Sequence, residues 1–151
     1  SYLDRCLLLA QKMNAAIGLP DFMVRRAEVE LALGKPQEAL ALAQRALALA
    51  ESTRQHGIKS LVMRVLAYIY AHLPQPDYEQ AETLLKNSIS SSEPGNVQTF
   101  IAISRLQLAQ LYMTLNRKED ARTELDAALA TFQRVGMSHY LARARKMTDT
   151  V

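Results

Sequence analysis

Small and apolar residues recur at helical spacing in three stretches of the chain. Each stretch carries a trio at positions i, i+4 and i+7, and the trios are Ala39, Ala43 and Ala46, then Ala81, Leu85 and Ser88, then Ala121, Leu125 and Ala128. This spacing places the three members of a trio on one face of an α-helix, where small side chains allow a neighbouring helix to approach closely. The trios begin at residues 39, 81 and 121. The pattern therefore predicts an internal repeat of about 40 residues.

A second helical pattern precedes each trio and contains a small residue of its own. Ala27 and Ala109 lie 12 residues before the start of the first and third trios, whereas Ala67 lies 14 residues before the second. The prolines of Pro74-Gln75-Pro76 fall in this longer interval. Because proline cannot continue a helix, the extra residues are expected in a lengthened turn. Each repeat is therefore predicted to be a pair of helices.

Glycines and an offset match extend the series to both ends of the chain. Gly18, Gly57, Gly95 and Gly136 are evenly spaced, and each is expected to end a helix in the left-handed conformation. Residues 5–10 match residues 45–50 at an offset of 40, so the chain is expected to open in the second helix of a pair. Together these features predict eight helices near residues 2–16, 21–33, 36–55, 58–73, 77–92, 97–115, 118–134 and 138–148.

The repeated residues resemble the tetratricopeptide family. Its consensus has a small residue at position 8, an aromatic at 11, Gly or Asn near 15, and Ala at 20 and 27. The third unit matches with Leu108, Ala109, Tyr112, Asn116, Ala121, Leu125 and Ala128, the middle unit with Ala67, Tyr70, Ala81, Leu85 and Ser88, and the first with Ala27, Gly34, Ala39 and Ala46. The first unit departs from the family at Glu30 and Ala43. The resemblance implies an all-α solenoid of antiparallel helix pairs forming a single domain over residues 1–151.

The length of the repeat points to a variant with long helices. Tetratricopeptide units usually span about 34 residues, whereas these span about 40. Longer units of this kind resemble the C-terminal helical superhelix of MalT-type LuxR regulators and related bacterial signalling ATPases, and the Ala- and Leu-rich stretches at residues 33–42 and 127–137 are similar to that group. The resemblance implies that the chain is a fragment of a larger signalling or transcriptional regulator.

Composition and charge narrow the function classes. The chain is 49% hydrophobic and 22% charged, which is typical of a globular protein. Its net charge of +3 is too small to indicate nucleic-acid binding, and basic and aromatic residues are not interleaved. It contains one cysteine, Cys6, and no apolar run of about 20 residues. Its first residues lack a signal-peptide pattern. We therefore expect a cytoplasmic protein without a membrane span.

Sequence motifs for catalysis are absent. The only Gly-Lys pair, Gly34-Lys35, lacks the remaining residues of a phosphate-binding loop, and no GxSxG or HExxH motif is present. His56, His72 and His139 are widely separated and are expected at the surface or at helix ends. Cys6 aligns with Ala46 and is expected to be a small buried residue. The sequence therefore predicts a protein that is not an enzyme and needs no cofactor or metal.

The family resemblance also implies where a partner binds. In tetratricopeptide proteins the first helix of each pair lines the concave face, with exposed residues near positions 5, 9 and 12. The residues of this chain selected on that basis are Glu28, Arg64, Tyr68, Gln110, Met113 and Arg145. They form no run of one charge. A protein or peptide is therefore the expected partner, and the alternative is a sensor that binds a small molecule or peptide in the same groove.

Arginines recur on the first helices but do not repeat in register. Arg25, Arg64 and Arg105 lie two, three and four residues before the small residue of their unit. At about 100° per residue they do not share one helix face. Binding of phosphate or carboxylate by this set as a whole is therefore disfavoured, and ordinary surface positions are expected.

The N-terminal helix is expected to promote self-association. It carries the apolar residues Leu7, Leu8, Leu9 and Met13. In a helical array such a face is normally covered by the next repeat. We therefore expect the chain to associate with itself through an uncovered end.

Overall fold

The computed structural model describes residues 1–12, 18–92 and 98–151, and this part of the chain is all-helical. Eight α-helices follow one another as α1 (Tyr2–Lys12), α2 (Leu19–Ala32), α3 (Pro36–Ser52), α4 (His56–Ala71), α5 (Tyr78–Ser92), α6 (Gln98–Thr114), α7 (Lys118–Val135) and α8 (Ser138–Thr148). The predicted fold class and helix number are confirmed for these residues. The bounds of α2 to α8 agree with the prediction within a few residues, and the predicted end of α1 lies outside the described residues.

The turns within two of the helix pairs have the same construction. Gly34 between α2 and α3 and Asn116 between α6 and α7 both have positive φ, at 76° and 58°. In each turn the next backbone N–H donates to a carbonyl five residues earlier, from Lys35 to Glu30 and from Arg117 to Tyr112. Gly and Asn tolerate this left-handed conformation better than other residues. These short turns bring the second helix of each pair back along the first.

The glycines predicted to end helices do not all do so. Gly18 and Gly136 adopt positive φ, at 88° and 79°, next to the start of α2 and the end of α7. Gly57 was predicted to end a helix, and this is wrong because it lies in the first turn of α4 without positive φ. Arg54 takes the left-handed conformation there instead. A Cβ at Gly57 would lie 3.4 Å from Cε2 of Phe100, so the position favours a residue without a side chain. Gly95 lies outside the described residues.

Helix pairing follows the order of the chain. The most extensive contacts join α2 to α3, α4 to α5 and α6 to α7, as predicted for the three pairs, and α4 also contacts α2 and α6. All nine residues of the three trios are buried, as the spacing predicted. The upstream small residues Ala27, Ala67 and Ala109 are buried as well. The small residues therefore lie where helices approach one another, and the first helices of successive pairs lie side by side.

The buried apolar residues form two clusters. One draws on α1 to α7 and includes Met23, Leu66 and Leu85, and the other joins α6, α7 and α8 around Phe132 and Ala144. Between α4, α5 and α6 lies a buried serine cluster of Ser60, Ser88 and Ser104. The Ser88 hydroxyl lies 2.9 Å from that of Ser60 and 2.8 Å from that of Ser104. These hydrogen bonds let three polar side chains lie inside the core.

Helix α1 is less completely covered than the other second helices. Leu7 is buried, but Leu8 and Leu9 are exposed, as is Tyr2. Cys6, expected to be buried, is only partly buried, whereas Ala46 at the aligned position of α3 is fully buried. Met13, the fourth apolar residue predicted on this helix, lies outside the described residues. An apolar surface is therefore present on α1.

Candidate functional site

A groove runs along the contact between α4 and α6. Its larger part is a cavity of about 400 Å³ at the C-terminal half of α4, which we call the aromatic pocket. Its lining includes Tyr68, His72, Tyr78, Gln107, Gln110 and Thr114. The Tyr68 and His72 rings stack with centroids 3.9 Å apart, and His72 Nδ1 lies 2.7 Å from the Tyr68 carbonyl oxygen. This side of the groove is therefore an aromatic surface with amides opposite it.

The other part of the groove is a cavity of about 250 Å³, which we call the arginine pocket. All four first helices reach it, since its lining includes Glu28 of α2, Arg64 and Tyr68 of α4, Gln107 and Gln110 of α6, and Tyr140 and Arg143 of α8. Tyr68, Gln107 and Gln110 line both cavities. The two pockets are therefore neighbouring parts of one groove.

Arg64 has an unusual environment in this pocket. Its Nε is buried and has no hydrogen-bond acceptor, and no carboxylate within the described residues pairs with its guanidinium. Burial lowers the pKa of Arg64 below its ordinary value, and Tyr140 opposes this only in part. A buried donor without a partner costs free energy, and the cost is larger for a charged group. The folded chain therefore holds Arg64 in a position that does not favour its own stability.

Neighbouring side chains fix the walls of the arginine pocket. The amide of Gln107 donates to the Arg64 carbonyl oxygen at 2.7 Å and so ties α6 to α4. Tyr140 stacks on the fully buried Phe132, with centroids 5.4 Å apart. The Arg143 guanidinium lies 6.0 Å from the Tyr140 ring centroid, one turn further along α8. The pocket is thus built on rigid helices and bordered by two guanidinium groups.

Other arginines on the first helices have acidic partners. Arg105, between α6 and α7, donates to Glu124 at 2.8 Å, and Arg25 pairs with Asp21 within α2. These pairings agree with the predicted surface roles of Arg25 and Arg105. Arg64 differs from both because it is buried at Nε and unpaired.

The structure brings four of the six predicted site residues together. Glu28, Arg64, Tyr68 and Gln110 all line the arginine pocket. Met113 instead packs against the main apolar cluster, and Arg145 is exposed on α8 away from the two pockets. A binding role for each of the six residues stays a prediction.

Sequence reasoning missed Gln107, Tyr140 and Arg143 as residues of the groove. Gln107 lies three residues before Gln110 and Tyr140 three before Arg143, which is the spacing of neighbours on one helix face. This spacing could have added Gln107 once Gln110 had been chosen. Helix α8 gave no such guide, because alignment of Ala144 with the small residues of the other units selected Arg145 rather than Arg143.

The remaining features give no second site of comparable definition. A cavity of about 910 Å³ lies among α1, α2 and α3, where Glu30 is buried and paired with Arg26 and Lys35. Among the described residues, no group of three His, Cys, Asp or Glu side chains is arranged to hold a metal ion. No helix in this part of the chain is long and apolar enough to cross a membrane.

Comparison with known proteins leaves the chain without an assigned relative. No protein-family model matches it, and no curated protein matches it. The functional argument therefore depends on the groove itself.

Proposed function

We propose that this chain is a protein-interaction module that binds a peptide segment of a partner protein in the groove between α4 and α6. The observation that carries the proposal is the groove, in which aromatic and amide side chains from successive first helices face one surface. Tyr68 is 50% exposed at its centre, although tyrosine gains free energy when its ring is buried. Residues of this type are common anchors at protein interfaces.

The dimensions of the groove suit a short extended segment. Its α4 wall extends from Leu61 to His72, which at 1.5 Å per residue is about 17 Å. An extended peptide rises about 3.4 Å per residue, so roughly five residues would fill this length. The helices on both sides are held in place by buried contacts and by the hydrogen bond from Gln107. Binding would therefore require little rearrangement of the module.

Site-specific photo-crosslinking in cells that express the protein tests this proposal. A photoreactive phenylalanine analogue would replace Tyr68 in one variant and Val135 in another. Val135 is a matched control because it is 48% exposed but lies at the end of α7, outside the groove. We expect discrete adducts from position 68 that map to one short segment of a partner.

Comparison of the two positions decides the result. The same adducts at positions 68 and 135, or no adduct at position 68, would contradict a partner bound in the groove. Substitution of Gln110 by Ala in the position-68 variant should reduce the adduct yield, because Gln110 lines both pockets.

Sensing of a small molecule is the alternative function. It is supported by the size of the aromatic pocket, since cavities of about 300 to 1,000 Å³ are typical of small-molecule sites. A sensor predicts that one metabolite raises the melting temperature through mass action. A thermal-shift screen that gives such a ligand, together with no adduct at position 68, would favour this alternative.

The resemblance of the repeats to tetratricopeptide proteins supports a wider setting for the module. We propose a long-helix variant of that repeat within a larger cytoplasmic regulator of bacterial signalling or transcription. Its support is the repeat of about 40 residues, the burial of the small residues, and the left-handed turns at Gly34 and Asn116. Sequencing of the complete reading frame tests it, and an adjoining secretion signal or catalytic hydrolase domain would contradict it.

Self-association through α1 is a separate part of the proposal. Leu8 and Leu9 are 53% and 58% exposed on this helix. Sedimentation velocity at increasing concentration should show dimers that are lost when both residues are changed to Gln. A chain that stays monomeric at high concentration would contradict this part.

A further inference from the structure

The arginine pocket combines features that define the chemistry of its ligand. Arg64 and Arg143 are the two cations of its lining and Glu28 is the one anion, so the lining has a net charge of +1. The groups beside them are hydrogen-bonding side chains, namely the phenol of Tyr140 and the amides of Gln107 and Gln110. A ligand group for this pocket should be compact, anionic and able to accept several hydrogen bonds.

We propose that the arginine pocket binds one carboxylate, carried by the ligand that fills the groove. A planar guanidinium presents paired N–H donors that match the two oxygens of a carboxylate. The carboxylate would provide the acceptor that the buried Nε of Arg64 lacks. Arg143, at the exposed side of the pocket, would contribute a second positive charge. The inference rests on the proposed function, since it names the chemistry recognised by the same groove.

Charge balance favours a carboxylate over a phosphate dianion. One negative charge neutralises the net charge of the pocket, whereas a dianion would leave one negative charge in excess beside Glu28. Such an excess is costly where burial limits the access of water. The phosphate dianion is therefore the matched comparison in the test.

The Nε–Hε signal of Arg64 in a ¹H–¹⁵N NMR spectrum reports directly on this site. The signal is assigned by its loss in the Arg64→Lys variant, which keeps the charge but has no Nε. Three probes would be added to the complete chain at equal ionic strength: N-acetylglycine, inorganic phosphate and sodium chloride. We expect a saturable shift with N-acetylglycine, at a midpoint concentration roughly tenfold below that of phosphate, and no saturable shift with chloride.

Two variants on the same helix show whether the effect is specific. Arg143→Gln removes the second guanidinium of the pocket and should raise the N-acetylglycine midpoint several-fold. Arg145→Gln removes a charge two residues away that does not line the pocket, and should leave the midpoint unchanged. An equal loss in both variants would show a general charge effect and overturn the proposal. So would the absence of a saturable N-acetylglycine shift at Arg64, or a lower midpoint for phosphate.

The source of the carboxylate is resolved by two pentapeptides of polyalanine. One has a free C-terminus, and the other is amidated and carries a central aspartate. Tighter binding of the first or the second than of N-acetylglycine identifies a peptide C-terminus or an acidic side chain, and equal midpoints for all three identify a free carboxylic acid. Each outcome supports the carboxylate.

Failure of this inference is distinguishable from failure of the proposed function. An NMR shift without a crosslink at position 68 retains the carboxylate site and excludes the protein partner. A crosslink without an NMR shift retains the partner and excludes the carboxylate.

Discussion

The serine cluster and the arginine pocket both bring polar side chains of α4 and α6 together, but they satisfy them differently. In the serine cluster, the hydroxyls of Ser60, Ser88 and Ser104 hydrogen-bond to one another inside the core. In the arginine pocket, the Nε of Arg64 is buried without an acceptor. A satisfied polar cluster contributes to the stability and register of helix packing, whereas an unsatisfied charge lowers stability. The difference indicates that the first cluster serves the fold and the second serves binding.

The largest expected effect comes from placing a bulky side chain in the serine cluster. Ser88→Leu should lower the free energy of unfolding by about 3 kcal/mol, because the site is fully buried and two hydrogen bonds are lost. Urea denaturation followed by circular dichroism measures this change. A loss below about 1 kcal/mol would mean that the cluster is loosely packed.

A smaller effect is expected when hydroxyls are removed without added bulk. Ser88→Ala alone should cost about 2 kcal/mol, since Ser60 and Ser104 each lose a partner. Changing all three serines to alanine should cost less than the single change, because no hydroxyl of the cluster is then left unsatisfied. Additive losses in the same denaturation experiment would contradict a cooperative cluster.

The sign of the effect should reverse in the arginine pocket. Arg64→Met keeps an unbranched apolar stem but removes the unpaired charge, and should raise the free energy of unfolding by about 1 kcal/mol. Arg105→Met is the matched control on α6, and it should be destabilising because Arg105 pairs with Glu124. A lower stability for Arg64→Met than for the parent chain would show that Arg64 supports the fold.

The smallest effect concerns Glu82, a paired charge that contrasts with Arg64. A hydrogen bond from Lys86 lowers the pKa of Glu82 most, and Tyr112 and Arg117 add to the decrease against the opposing effect of burial. Because the folded-state pKa lies below the unfolded value, the stabilisation is present above the unfolded pKa and is lost as pH falls through the folded pKa. Glu82→Gln should therefore remove a few tenths of a kcal/mol at neutral pH.

Denaturation at neutral and acidic pH measures the Glu82 effect. The stabilities of parent chain and variant should converge on acidification, because protonated Glu82 is neutral like glutamine. The amide oxygen of glutamine still accepts from Tyr112, so packing is preserved. A constant difference between the two proteins at all pH values would assign the effect to packing instead.

Much of the fold could be predicted from the sequence because it depends on local spacing. The i, i+4, i+7 trios and the residues of the left-handed turns, Gly34 and Asn116, each act within one helix pair. Gly57 was misassigned because its requirement comes from Phe100, a residue of another pair. The groove was predicted only in part for the same reason. Glu28 and Arg143 meet at one pocket through the relative positions of α2 and α8, which spacing within a helix does not determine.

The turn from α4 to α5 is longer than the turns of the other two pairs. It contains Pro74 and Pro76, and α5 begins where Asp77 accepts a hydrogen bond from the Gln80 backbone. Exposed turns of this kind accept inserted sequence with little loss of stability. His72, at the start of the turn, stacks on Tyr68 of the groove. An environment-sensitive fluorophore attached at residue 75 would therefore report on groove occupancy and make the chain a reagentless biosensor.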